Sequence, residues 1–336
     1  MGRYLLRRLA QGVATLLLAT LVIHAAVTLL PGDPIRAIWG PSEPPPEVLA
    51  EIRAHYRLDD PYPVQYATWV ADLVRGDLGT SYPRRARGAS VSREGPPVAD
   101  LVAAAAPVSL RLLAVAVVAH VLIGVGAGLA AVLARRRAGG RLLERGGSAI
   151  SGALDQLTYG MAIVAVSAPA IVLAYAGQVV FGHRLGWVPV RGVAAGWPSY
   201  VLPAAAMAAA ATGYVALLTR RELGERLRER FVTTALAHGL SRRRVIAVHA
   251  LRASLVPLLT MAAANLGLLV AAQIIVEGVY GMPGLGGLVF DAIQRQDRGL
   301  LVPAVTVITA AVIVANLLAD VLAGVVDPRL HTRHPV

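Results

Sequence analysis

Neither lysine nor cysteine occurs in the 336 residues, so all 32 basic side chains are arginine. Without cysteine there is no disulfide, no thiolate nucleophile and no sulfur-held metal. Without lysine there is no Walker A phosphate loop, no Schiff base and no Ser-x-x-Lys nucleophile. If ATP drives this protein, another chain binds it. Charge is also scarce: Asp, Glu, Lys and Arg make up 15% of the residues, against roughly a quarter in soluble domains. The hydrophobic fraction is 56% and the mean hydropathy +0.60, with the apolar residues in long blocks. An ordinary soluble domain and a disordered chain are both excluded, and the chain belongs in a bilayer.

A helix needs about 20 apolar residues to cross the hydrocarbon core. Six windows near that length lack Asp, Glu and Arg: Leu9 to Leu30, Leu112 to Ala134, Gln156 to Gly182, Ser199 to Thr219, Ala253 to Val276 and Gly299 to Ala319. The first follows Arg3, Arg7 and Arg8 but, at 22 residues, exceeds a secretory core of about 7–15, so it reads as a retained span. Pro169, Pro203 and Pro257 mark kinks, and Gly124, Gly126 and Gly128 mark close helix packing. Arginine placement sets the orientation. The N-terminal tail carries three, the Arg135 to Gly147 loop five against Glu144, and the Arg220 to Arg252 loop nine against Glu222, Glu225 and Glu229. The segment Pro31 to Asp100 instead has eight arginines against ten acids, and Gly278 to Leu300 is balanced. Both termini are therefore expected in the cytoplasm, although Arg184 and Arg191 in the His183 to Pro198 loop run against the count.

The chain accordingly divides into a tail and first span (1–30), an extracytoplasmic loop (31–100), a core of five spans (101–330) with a cytoplasmic loop (220–252), and a short tail (331–336). The outer loop is expected to be partly folded. Glu47 to Arg57 favours helix, and Pro63 to Gly76 sets Val64, Ala67, Val70, Ala71 and Val74 as an amphipathic stripe, while Arg84 to Pro97 reads as a connector. A pure spacer is the alternative. The inner loop predicts a short helix from about Glu229 to His238, closed by Gly239 in the left-handed conformation, with Ser241 capping the next helix. Phe231, Thr234, Ala235 and His238 would share a face, and Ala235 and Ala237 are small enough for another surface to approach. Docking of a partner and contact of the arginines with anionic lipid both fit this pattern.

At this loop the sequence resembles the EAA loop of binding-protein-dependent ABC importer permeases, specifically the dipeptide/oligopeptide/nickel family. The strongest stretch is Phe231-Val232-x-Thr234-Ala235-x-Ala237-x-Gly239-Leu240-Ser241, followed by His249-Ala250-Leu251-Arg252. Family-like fragments extend over nearly the whole chain. They include Leu30-Pro31-Gly32-Asp33-Pro34, Arg75-Gly76-Asp77-Leu78-Gly79-Thr80-Ser81, Ser167-Ala168-Pro169, Leu185-Gly186-Trp187-Val188-Pro189, Glu277-Gly278-Val279-Tyr280-Gly281-Met282-Pro283-Gly284 and Asp327-Pro328-Arg329. The early Leu-Pro-Gly-Asp-Pro and the long outer loop look like the B-type subunit. Two departures stand out: the family usually has basic residues where Leu236 and His238 stand.

The resemblance implies an all-α integral membrane protein of six spans with the type I, MetI-like permease fold, in a bacterial plasma (inner) membrane. It implies a transporter subunit rather than an enzyme, with no cofactor in this chain; ATP and Mg²⁺ would sit on two partner ATPases. The other partners implied are a second permease, in a heterodimer, and an extracytoplasmic substrate-binding protein. The coupling residues would be Phe231, Thr234, Ala235, Ala237, His238, Gly239 and Leu240. The cargo implied is a di- or oligopeptide, with nickel chelate, haem or a glutathione-like peptide as alternatives.

Polar residues inside spans are costly and commonly face a bundle interior, through interhelical bonds or a pathway. His24, His120, Gln178, Asn265, Gln273, Asn316 and Asp320 are of this kind. The pathway candidates are Ser167, Pro169, Asn265, Gln273 and Glu277; Glu277 could meet a substrate amine or hold Arg295 or Arg298 in a gate. No metal site is expected, since only His331 and His334 of the eight histidines are close in sequence. An ion-coupled secondary transporter would need inverted repeats or a chain of intramembrane acids, a membrane enzyme a convergent catalytic set, and neither is present in the sequence. Nucleic-acid binding is not needed to explain a charge of +12 when the arginines sort to one membrane face.

Overall fold

The computed structural model describes residues 2–29, 34–39, 44–82, 95–139, 160 and 169–326. Among these the regular structure is helical, with one isolated antiparallel bridge between Thr80 and Pro97. The helices are α1 (Gly2–Leu29), α2 (Pro34–Trp39), α3 (Pro46–His55), α4 (Tyr62–Val74), α5 (Val98–Gly139), α6 (Ala170–Gly177), α7 (Pro198–Arg226), α8 (Arg230–Ala237), α9 (Arg242–Arg244), α10 (Leu251–Ala264), α11 (Leu266–Tyr280), α12 (Leu285–Arg295) and α13 (Arg298–Val326). A π-helical stretch Gln178–Arg184 continues α6, and another, Val245–Ala250, joins α9 to α10.

The helices α1, α5 and α13 each contain a stretch long and apolar enough to cross a membrane alone. The second, fourth and sixth apolar windows fall inside α5, α7 and α13, and the first falls inside α1 up to Leu29, with Leu30 outside the described residues. The fifth is shared by α10 and α11, which separate at Asn265. The third lies in part outside the described residues, as do Ser167, the Arg84 to Glu94 stretch, most of the Arg135 to Gly147 loop and the tail from Asp327 with His331 and His334.

Contacts divide the chain into two compact units, Met1–Leu110 with Gly281–Val314, and Arg111–Tyr280 with Ala315–Val336. In the first, α4 lies along α1. Tyr66 donates its hydroxyl to the Leu17 carbonyl at 2.9 Å, Tyr62 reaches the Leu21 carbonyl at 3.2 Å, and Thr20 Oγ1 lies 3.0 Å from Tyr66 Oη. His24 sits among the rings of Tyr62, Tyr66 and Trp69, with centroids 5.4, 5.6 and 5.9 Å away. This corrects the expected stripe. Val64 and Val74 are 45% and 82% exposed, and the packed face of α4 is the aromatic one. Tyrosine and tryptophan bury more area than valine and offer a polar tip for the carbonyls of a neighbouring helix. The helix expected over Glu47 to Arg57 is α3, whose Ile52 joins Ile38 and Tyr82 in a small core.

Asp297 ties this unit together. The left-handed Gln296 (φ 55°) ends α12 with paired bonds from Gln296 N to Ile293 O and from Asp297 N to Ala292 O. Asp297 then caps α13, accepting Leu300 N–H on Oδ1 at 3.0 Å. Its Oδ2 accepts the Ser81 hydroxyl and, at 3.0 Å, the Tyr82 N–H. Asp297 is 5% exposed, a buried carboxylate held by three donors. Burial, with the Asp297 charge adding to it, pushes the Tyr82 phenol well above its usual value.

In the second unit α7 is central, packing against α6, α10 and α11. Its buried alanines (Ala204, Ala206, Ala208, Ala211) let neighbouring backbones approach. Gly124 and Gly128 of α5 do the same from the other side: a Cβ there would stand 2.7 Å from Val215 Cβ and 2.5 Å from Thr219 Cβ. Gly126 meets nothing within 4 Å, so only two of the three glycines serve close packing. Tyr280 closes the group, donating its hydroxyl to the Ala174 carbonyl at 3.0 Å.

Replacing Asp297 with Asn removes the charge and leaves one acceptor oxygen for three donors. The expected cost is about 1–3 kcal/mol, read as a lower thermal midpoint in detergent and faster hydrogen exchange at Ser81 and Tyr82. Unchanged exchange there would show that the carboxylate does not hold the 81–82 segment.

Candidate functional site

The loop between α7 and α10 folds as a corner. Arg226 and Glu229, three residues apart, pair at 2.7 Å where α7 gives way to α8, and Arg221 pairs with Glu225 at 3.1 Å. Both pairs are exposed enough to contribute little stability, and they orient the turn. Glu229, with extended backbone, occupies the N-cap position of α8 and makes no side-chain capping bond.

The C-terminus of α8 is the better-defined end. His238 N–H donates to Thr234 O at 3.0 Å, Gly239 N–H to Leu236 O at 3.0 Å, and Leu240 N–H to Ala235 O at 3.2 Å. Gly239 has φ +76°, so these bonds form a Schellman cap, which satisfies carbonyls that a bare helix end would leave open. After it, the Ser241 carbonyl accepts Val245 N–H at 3.0 Å and starts the helical path towards α10.

Beneath the corner lies an apolar cluster of Val132 from α5, Leu223 and Leu227 from the end of α7, Val232 from α8, and Val245, Ile246 and Ala250 from the following turn. Phe231, Ala235 and Leu240 pack against it and are half-buried. The structure therefore divides the seven residues expected to serve coupling. Phe231, Ala235 and Leu240 are turned towards the chain's own core: Ala235, four residues on from Phe231, falls on the same side of α8, and the left-handed turn at Gly239 brings Leu240 back beside them. Thr234, Ala237, His238 and Gly239 are exposed, together with Thr233 and Leu236, which the sequence reading did not place there. Arg230, Arg243 and Arg244 are also exposed.

The polar residues of the second unit lie deeper. Gln273 and Glu277, one turn apart on α11, are 5% and 0% exposed, and Gln273 Nε2 donates to Glu277 Oε1 at 2.6 Å. Asn265 sits at the break between α10 and α11, 8% exposed, and its Nδ2 has no hydrogen-bond partner among the described residues. Pro169 precedes the first residue of α6 in extended conformation and starts that helix. Gln178 donates to the Val190 carbonyl at 2.7 Å, a structural bond. His120 is fully buried, while Asn316 is exposed. Arg295 pairs with Asp291 of its own helix at 3.5 Å. No group of three His, Asp or Glu placed to hold a metal occurs among the described residues.

Asp297 and Ser81 were missed as a pair in the sequence. An Asp immediately before an apolar helical run was a legible capping signal, but the partner 216 positions away was not.

Comparison with known proteins identifies the family and the fold. Residues 140–332 match the family described as binding-protein-dependent transport system inner membrane component, and residues 1–113 match its N-terminal membrane component. The glutathione transport system permease proteins GsiC of Salmonella paratyphi A and Salmonella typhimurium are each 32% identical over 330 residues, covering 98% of this chain and 99% of theirs. An inward-facing structure of the MetNI methionine ABC transporter shares the fold, with a TM-score of 0.55 at 16% identity over 68% of this chain and 97% of that one. The chain belongs to the binding-protein-dependent transport system inner membrane components: it is a multi-pass permease subunit of an ABC importer.

Proposed function

We propose that this permease carries short peptides inward, and that α8 is the lever through which ATPase subunits drive it. The observation that carries the reading is the Schellman-capped α8, seated on the ends of α5 and α7 with a face of small and polar residues left exposed. A helix fixed on one side and bare on the other is built to transmit a push. The arginine bias supports placing this corner, with both termini, in the cytoplasm, and 31–100 outside.

Two ATPases would seat Thr234, Leu236, Ala237 and His238 in surface grooves; ATP and Mg²⁺ belong to them, since this chain has no lysine for a phosphate loop. Closure of the ATPases favours one state of the permease only through differential affinity for the two states. The rigid cap and the apolar cluster then pass the displacement of α8 to α7 and α10. A second, different permease completes the pathway, and a substrate-binding protein delivers the cargo. Among peptides, a glutathione-like tripeptide is favoured, because relatives aligned along almost the full chain are named glutathione permeases. A pathway that opens beside α11 would offer a cargo amine the Gln273–Glu277 pair, which is buried in this structure.

Three outcomes test this. Ala237→Trp fills the exposed face without touching the cluster, so ATPases should be lost from a mild-detergent pull-down; full retention would favour a lipid-contact role for the loop. Gly239→Val forces a β-branched residue into the left-handed region at a cost of about 1–2 kcal/mol, and should cut ATP-driven uptake severalfold while the chain still inserts. Full transport would end the lever account. Glu277→Gln keeps the shape and removes the charge, and uptake is expected to slow severalfold; unchanged uptake kinetics and basal ATPase activity would remove Glu277 from the pathway.

A further inference from the structure

The unit formed by residues 1–110 and 281–314 contains a cavity of about 390 Å³ that the coupling account leaves unused. Its size lies within the roughly 300–1,000 Å³ of small-molecule sites. Aromatic wall is supplied by Trp69 and Tyr82, carboxylates by Asp72 and Asp77, a guanidinium by Arg298, and an imidazole by His24. His24 Nδ1 is buried without a hydrogen-bond partner among the described residues, an orphan polar atom in the lining.

The wall is fixed by packing. A Cβ on Gly299 would stand 2.5 Å from the Thr80 carbonyl oxygen, and Tyr82 is anchored by Asp297 through its N–H. The carboxylates retain capacity: Asp72 meets Arg75 at 3.3 Å through Oδ1, and Asp77 accepts Gly79 N–H at 2.8 Å through Oδ1, leaving further lone pairs on each. A metal ion would need three converging ligands, which no group among the described residues supplies. Charges of both signs around an aromatic wall match a small molecule that itself carries both signs.

We propose that this cavity binds the zwitterionic backbone of a short peptide, with its ammonium towards Asp72 and Asp77, its carboxylate towards Arg298, and an apolar portion against Trp69. The proposal rests on the peptide-import reading and adds to it a cargo site on the permease itself, in the unit that carries the extracytoplasmic loop.

The test uses the assembled transporter in lipid nanodiscs without its binding protein, and equilibrium dialysis with labelled trialanine against N-acetyl-trialanine amide, which has the same length and no charge. Trialanine should bind saturably in the millimolar range or tighter, and the capped peptide at least about tenfold more weakly. Asp72→Asn and Arg298→Gln should each weaken trialanine binding severalfold. No saturable binding, equal binding of the capped peptide, or binding untouched by both substitutions would overturn the proposal. Uptake of trialanine by the complete system, run in parallel, separates the two claims: uptake without cavity binding leaves peptide import standing and removes the site. Cavity binding without ATP-driven uptake of trialanine or glutathione keeps a peptide-binding cavity but overturns its role as a cargo site, together with peptide import.

Discussion

What the α8 corner can transmit depends on how firmly α8 is held to the helices beneath it. Two things hold it. One is apolar: Val232 is buried, and Phe231, Ala235 and Leu240 pack on side chains from α5, α7 and the turn after α9. Full burial of one such side chain is worth about 1.5–3 kcal/mol. The other is the left-handed turn at Gly239, which ends α8 and brings Leu240 back onto the same cluster as Ala235. Because the cap and the cluster share Ala235 and Leu240, α8 cannot tilt without disturbing the following helix. That is the physical basis of the lever proposed for this loop.

The other unit is organised by a polar knot. Asp297 gathers a hydroxyl, two backbone N–H groups and the start of α13 around one buried carboxylate, while the aromatic face of α4 hydrogen-bonds to carbonyls along α1. Buried charge is tolerated only where donors surround it. The same arrangement anchors Tyr82 and packs Gly299 against Thr80, which preserves a cavity where side chains would otherwise close in.

Much of this was legible in the residues. Long uncharged runs announced α1, α5, α7 and α13, and the Ala-His-Gly sequence at 237–239 announced the end of α8, because glycine there has one dominant structural use. The family fragments named the chain's relatives. Other features were hidden for physical reasons. Gln296 takes a left-handed conformation without the glycine that would have signalled it. The side of α8 that faces inward followed from contacts with Val132, about a hundred residues earlier, and with the turn at Ile246, so periodicity alone assigned Phe231 and Ala235 to the exposed face. In α4 a valine stripe at helical spacing competed with an aromatic stripe, and the aromatics won through their hydroxyls and larger area. The Ser81–Asp297 bond joins two segments that carry no shared local signal.

The absence of cysteine makes the central claim directly measurable. A single Ala237→Cys introduced into this chain, paired with single cysteines lining the candidate groove of the ATPase subunit in the assembled transporter, permits site-specific cross-linking. The account predicts efficient cross-linking at Ala237, a yield that changes when ATP is bound, and little from Cys placed at Ala250 on the buried side of the same corner. An ATPase that co-purifies fully yet cross-links at no position on the exposed face of α8 would contradict it.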